Sequence, residues 1–227
     1  MKITIKKLVL IILVFSIVIF STTLVKALVD DKSYLFGKVI YIDAGHGGKD
    51  NGAVFNGVLE DEINLKIAGY LMQKLVDLGS HVLISRTSDY DLANIYDKNR
   101  KMKDLSNRVK QINNAKVDIF VSIHLNSYIG SSISGPQVFY QGTNNSKLLA
   151  NSIQNNLNKL SFQNKRDAKF GEYYILKNSN QVGVLVECGF LSNEEERNNL
   201  SKDYYQKKIS DSIAKGIVDY FGLERNW

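Results

Sequence analysis

The chain has 227 residues, 44% of them apolar, with a formal charge of +6, one cysteine and one proline. That is enough apolar material for one soluble core plus an appendage, and a lone cysteine, Cys188, excludes an internal disulfide framework. The first 27 residues hold four lysines and no acid, so subtracting these from +6 leaves +2 for the remainder, and no nucleic-acid ligand is implied.

In chain order, the first feature is "MKITIKKLVLIILVFSIVIFSTTLVKA", in which Lys2, Lys6 and Lys7 precede an uncharged, mostly apolar run from Leu8 to Val25. This is the pattern of a secretion signal or a single membrane anchor over residues 1–27, with Val25-Lys26-Ala27 suited to a cut after Ala27. A linker over 28–36 and one domain over 37–223 follow. Short apolar runs alternate with amphipathic stretches, the signature of an α/β domain with a largely parallel or mixed sheet between helix layers. The predicted strands are Lys38 to Asp43, His81 to Arg86, Ile119 to Ile123, Gln137 to Tyr140, Tyr173 to Leu176 and Val182 to Glu187. A helix from Asp61 to Leu78 carries Ile63, Ile67, Tyr70, Leu71 and Leu75 on one face and stops at Gly79. Further stripes are Leu105, Val109, Ile112, then Leu149, Ile153, Leu157, Leu160, then Ile209, Ile213, Ile217, Tyr220. Thr87 to Lys103 lacks a stripe and reads as a long surface loop bordering the cleft.

Ligands of open α/β sheets gather beyond the carboxyl ends of strands. Three such ends carry chemistry. In "VIYIDAGHGG", His46 stands among glycines that let the chain bend sharply. A Walker loop is excluded because Gly48-Lys49 is followed by Asp50, and the dinucleotide fingerprint fails for want of a glycine at 50. In "DIFVSIHLNS", His124 ends an apolar run and is followed by Asn126 and Ser127. In "GVLVECGFLSN", Glu187 closes an almost purely apolar strand, and a carboxylate there must be paired, protonated or facing a metal. Glu60, at the start of the first domain helix, completes a two-histidine, one-carboxylate set with His46 and His124. In hydrolases such a set holds Zn²⁺ with a fourth position open to water. Asp61 and Glu62 remain alternatives for the carboxylate, although their other reading is as helix N-terminal charges. His81 begins a strand and reads as structural.

With these residues in view, "IDAGHGG", the later Glu60, "LISRTSD", "FVSIHLNS" and "VLVECGFLSN", in this order, resemble the zinc-dependent N-acetylmuramoyl-L-alanine amidases of the type-3 class over about Lys38 to Phe221. The resemblance implies a three-layer α/β sandwich with a twisted six-stranded mixed sheet. It implies one Zn²⁺ on His46, Glu60 and His124, and cleavage of the amide between muramic acid and L-alanine in peptidoglycan. Glu187 would be the catalytic carboxylate, passing the water proton to the leaving amine. Asn126 is a candidate for binding the peptide or orienting His124, or else a turn-forming residue.

The compact layout, with "VLVECGFLSNEEE", is similar to the germination-specific amidases of spore formers, which implies action in the forespore envelope on the route to cortex muramic-δ-lactam. The stretch "NKRDAKFGEYY" and Gln181-Val182 depart from the family pattern at the substrate groove. Other expectations are an extracytoplasmic location, N-terminal membrane association and an activating protein partner. The rival readings are a zinc peptidase or carboxypeptidase on wall peptides and a non-catalytic wall-binding protein.

Overall fold

The computed structural model describes residues 5–28, 34–128, 130, 132–160 and 164–224. They fall into two units, one ending at Tyr34 and one beginning at Leu35. The first contains α1, Ile5–Leu28. Its apolar side chains between Ile12 and Phe20 are exposed. The hydroxyls of Ser16 and Ser21 donate to the carbonyls of Leu13 and Val18, which satisfies them within the helix. Among the described residues no helix is long and apolar enough to cross a membrane. The expected linker, 28–36, falls largely on 29–33, which lie outside the described residues.

The second unit runs through β1 Val39–Ala44, β2 Val54–Phe55, β3 Val58–Leu59, α2 Glu60–Asp77, β4 His81–Ile84, α3 Arg100–Asn114, β5 Ile119–Asn126 and β6 Gln137–Tyr140. It continues through α4 Asn144–Leu157, β7 Lys169–Phe170, α5 Tyr174–Asn178, β8 Gly183–Phe190, α6 Glu194–Leu200 and α7 Asp203–Glu224. The main sheet has six strands in the order β4-β1-β5-β8-β6-β7. The first four are parallel, β6 runs antiparallel to β8, and β7 is parallel to β6. This is the mixed six-stranded α/β sheet that the family resemblance implies.

Alternation along the strands builds two different faces. Ile40 and Ile42 of β1, Ile119, Val121 and Ile123 of β5, and Val184 and Val186 of β8 meet the stripes of α2, α4 and α7 in the larger core. The intervening residues Tyr41, Phe120 and Leu185 pack with Val109 and Ile112 of α3 and with Ile175 and Leu176 of α5. Further along the same strands, this second face carries Asp43, Ser122, His124 and Glu187.

Several boundaries differ from the sequence reading. Tyr173 to Leu176 is not a strand: Tyr173 is the extended residue before α5, and the edge position next to β6 is taken by β7. Ile175 and Leu176 are consecutive and both buried, which one turn of helix on the sheet face accommodates and an alternating strand does not. Tertiary burial here overrides the high β-propensity of Tyr-Tyr-Ile. The loop after β4 ends at Asn99 rather than Lys103, since α3 starts at Arg100. Both β5 and β8 continue past His124 and Glu187, to Asn126 and Phe190. Gly79, with φ +88, follows the last turn of α2 as expected.

Candidate metal and catalytic site

After β1 the chain turns through Gly45-His46-Gly47-Gly48. His46 sits at φ +60, a left-handed conformation uncommon for residues with a Cβ. Two glycines are needed for close approach. A Cβ on Gly45 would collide with the His124 ring, and one on Gly52, itself at φ +66, would press on Glu60 Oε2 and His46 Cδ2.

Glu60 reaches His46 by way of a small hairpin. β2 and β3 pair antiparallel across Asn56 and Gly57, both at positive φ, the Asn-Gly pattern of a tight hairpin turn. The ribbon returns the chain so that α2 starts beside the His46 loop. There the Glu60 and Asp61 amides donate to the carbonyls of Ala53 and Asn51 at 3.0 and 3.2 Å, satisfying two of the donors left open at a helix start. The Ala53 amide donates back to Glu60 Oε2 at 2.8 Å. Among the three acids of the first turn, Glu60 is therefore the one aimed at the histidines. Glu62 is exposed. Asp61 is buried, its Oδ1 has no hydrogen-bond partner among the described residues, and burial and then Asp89 raise its pKa.

Glu60 Oε1 lies 3.2 Å from His46 Nε2 and 3.0 Å from His124 Nδ1. It also accepts from the Leu125 amide at 3.1 Å and from Asn64 Nδ2 at 3.2 Å. One ligand atom from each of His46, Glu60 and His124 lies within 4.8 Å of the others. The far side of His46 is fixed by Asp50, whose Oδ2 is 2.9 Å from Nδ1. A carboxylate behind a histidine in this way sets its tautomer and orientation. Burial disfavours charge on His46, but the bonds to Asp50 and Glu60 outweigh it and raise its pKa to about 9. Burial likewise opposes ionisation of Glu60, yet its bonds to His124 and His46 hold it far below the usual carboxylate range. Two imidazoles converging on one ionised carboxylate fit a divalent cation with nitrogen and oxygen ligands.

Glu187 is the register partner of His124 across β5 and β8, so the two side chains share a face. The register slips immediately afterwards, with Asn126 opposite Phe190, a bulge of the kind that re-aims side chains beside active sites. Glu187 is buried and its Oε2 has no hydrogen-bond partner among the described residues, while the Tyr173 hydroxyl is 3.5 Å from Oε1. Burial pushes the carboxyl up to about 7, and the nearby His124 only partly offsets this. His46, Glu60, His124 and Glu187 all line one cavity of about 340 Å³, walled on the far side by Lys101 and Leu105 of α3. The wall is thus helix α3, not the preceding loop.

Asn126 also lines the cavity, and its Oδ1 accepts from the Ser127 amide at 2.8 Å, a turn bond. The His124 ring is oriented instead by Glu60, whose Oε1 accepts from Nδ1. His81 is exposed at the start of β4 and stands apart from the group.

Sequence reasoning missed four supporting residues: Asp50, Asn64, Arg86 and Arg108. Asn64 is one helical turn beyond Glu60, a spacing that could have been read. Arg86 and Arg108 are almost fully buried. The partners of Arg86 are backbone carbonyls that no side-chain pattern reveals, whereas Arg108 also pairs with Asp43 and, one helical turn away, with Asp104, a spacing that could have been read.

Residues 40–219 match the family model described as N-acetylmuramoyl-L-alanine amidase. Over 82% of its length the chain is 42% identical to the germination-specific N-acetylmuramoyl-L-alanine amidase of Bacillus subtilis, covering 81% of that protein. It is 35% identical to the N-acetylmuramoyl-L-alanine amidase LytC of the same organism over 84% of this chain but only 37% of LytC. The solved CwlD amidase from Clostridioides difficile, in complex with the GerS lipoprotein, superposes with a TM-score of 0.80 at 37% identity, covering 82% of this chain and 100% of that one. Sheet order, the converging His46, Glu60 and His124, and similarity across nearly the whole second unit agree: the chain belongs to the N-acetylmuramoyl-L-alanine amidase family.

Proposed function

We propose that the protein is a zinc-dependent amidase that cuts peptidoglycan between N-acetylmuramic acid and the L-alanine of the stem peptide. The observation that carries this reading is the convergence of His46, Glu60 and His124 within 4.8 Å, beside a buried Glu187 with an unpartnered oxygen. His46, Glu60 and His124 would hold the zinc, which would supply Lewis acidity for activating water and polarising the scissile carbonyl.

The remaining work belongs to the chain. Asp50 fixes the His46 tautomer so that Nε2 keeps its lone pair for the metal. Glu187, raised to about 7 by burial, takes a proton from the attacking water at Oε2 and delivers it to the leaving L-alanine nitrogen. A carboxyl near the working pH can do both. Tyr173 restrains the other oxygen, and Asn126 on the cavity wall offers its amide to the peptide backbone.

The setting follows from the relatives. Similarity to a germination-specific amidase supports a role in spore cortex, on the route to muramic-δ-lactam, and an extracytoplasmic location. Residues 1–27 then serve as export signal or anchor, as Lys2, Lys6, Lys7 and the apolar run suggest. The lipoprotein bound to the CwlD relative supports a protein partner for this chain as well. Digestion of purified peptidoglycan with mass analysis tests the reading. Free stem peptides beginning with L-alanine, beside intact glycan, are expected, whereas cleavage within the peptide would assign a peptidase instead.

A further inference from the structure

His46 would ligate from a left-handed backbone conformation, and two buried arginines account for how it is held there. The φ angle of His46 is set by the peptide plane carrying the Gly45 carbonyl, and its ψ angle by the plane carrying its own carbonyl. Arg86 Nη2 donates to the Gly45 carbonyl at 2.9 Å, and Arg108 Nη2 donates to the His46 carbonyl at 2.6 Å. Both arginines also bind the carbonyl just before, Ala44, through Arg86 Nε at 3.0 Å and Arg108 Nη1 at 2.7 Å. Three successive carbonyls therefore point into guanidinium donors, and both planes flanking His46 are pinned.

The arginines are themselves fixed. Arg108 Nη1 pairs with Asp43 Oδ1 at 2.6 Å and Nε with Asp104 Oδ2 at 2.7 Å, while Arg86 Nη2 reaches the Asp61 carbonyl at 2.7 Å. Arg108 comes from α3 and Arg86 from the segment just after β4, so two separate parts of the chain over-determine one strained residue, as sites that depend on pre-organisation require. Asp104 carries the link outward, since its Oδ1 accepts from the Leu92 amide in the 87–99 loop at 2.7 Å.

We propose that Arg86 and Arg108 are positioning residues for His46, and that by locking its two flanking peptide planes they set the metal affinity of the site. The proposal rests on the zinc reading above only in that His46 binds the metal. A purely structural role, docking α3 onto β1, is the alternative.

The experiment uses the full chain with Arg108→Lys and Arg86→Lys. Each keeps the positive charge, but a lysine cannot bridge two carbonyls as the guanidinium fork does. Zinc affinity is read by chelator competition and ligand geometry by the visible spectrum of the Co²⁺-substituted protein. Both variants are expected to keep a native far-UV spectrum, to lose zinc affinity by about tenfold or more, and to show altered Co²⁺ bands. Asp104→Asn is the structural control: it weakens the bond to Arg108 Nε and the tie to the 87–99 loop but leaves both carbonyl bonds of Arg108, so the melting temperature should fall while zinc affinity stays near wild type. Folded lysine variants with wild-type zinc affinity and Co²⁺ bands would overturn the proposal alone. So would failure of both to fold, which assigns the arginines to the fold, or a loss in Asp104→Asn equal to that in Arg108→Lys. A wild-type chain that binds no zinc would overturn the zinc reading together with the proposal.

Discussion

The two faces of the central sheet are made from the same strands, one residue out of step, and they do different work. On one face Ile42, Val121, Ile123 and Val186 are sealed beneath α2, α4 and α7. On the other, the next residues along, Asp43, Ser122, His124 and Glu187, are polar and lie at the floor of the cleft or just under it. The apolar face can be continuous because three long helices cover it. The polar face is covered by α3 and the short α5 only over its first half, around Tyr41, Phe120 and Leu185, which leaves the carboxyl ends of the strands open to a ligand. A period of two thus separates what holds the molecule together from what it does.

Substitutions on either face test this division. His124→Ala should have the largest effect, abolishing stoichiometric metal binding and reducing peptidoglycan hydrolysis to background while the protein stays folded; metal analysis alongside circular dichroism checks it. Glu187→Gln keeps the shape and the three ligands, so metal content should be unchanged while kcat falls by about 10³-fold. A variant with wild-type kcat would remove Glu187 from the chemistry. On the opposite face, Leu71→Ala should cost about 3 kcal/mol in urea unfolding, with kcat per folded molecule unchanged.

Asp43 lies where the faces meet in function, because it is on the polar face yet serves stability. Burial alone would raise its pKa, but Arg108 and the Ser122 hydroxyl, each at 2.6 Å, hold it below the usual aspartate range. Its folded-state pKa is lower than its unfolded one, so the stability it contributes is present above the unfolded value and disappears as pH falls through the folded one. Asp43→Asn should therefore lower the melting temperature most at neutral pH, and the gap to wild type should close in acid. The smallest effect is expected for Tyr173→Phe, which removes only the 3.5 Å contact to Glu187: a drop in kcat of about tenfold or less, with stability unchanged.

The parts of the fold that were legible in the sequence are those governed by simple periods. Stripes such as Ile209, Ile213, Ile217 placed α7, and apolar runs ending in a polar residue placed β1, β5 and β8, with His46 just beyond β1 and His124 and Glu187 a few residues short of the ends of β5 and β8. Two kinds of feature stayed hidden. The edge strand Lys169–Phe170 is two exposed residues long and has no period to detect, so the apolar Tyr173 to Leu176 drew the assignment that belonged to it. The choice of Glu60 over Asp61 and Glu62 was open because it depends on the Asn56-Gly57 hairpin and on the carbonyls of Asn51 and Ala53 that receive the start of α2. Arg86 and Arg108 were missed for a related reason: charged residues read as surface until the acceptors that bury them are known, backbone carbonyls for Arg86 and, for Arg108, the carboxylates of Asp43 and Asp104 as well.

The most direct measurement is a zinc titration of the chelator-treated protein, with hydrolysis of purified peptidoglycan as the readout. Activity should be absent at the start, rise in proportion to added zinc and level off at one equivalent per chain, with no recovery in His124→Ala. Full activity before any zinc is added, or no recovery after it, would contradict a metal centre built from His46, Glu60 and His124.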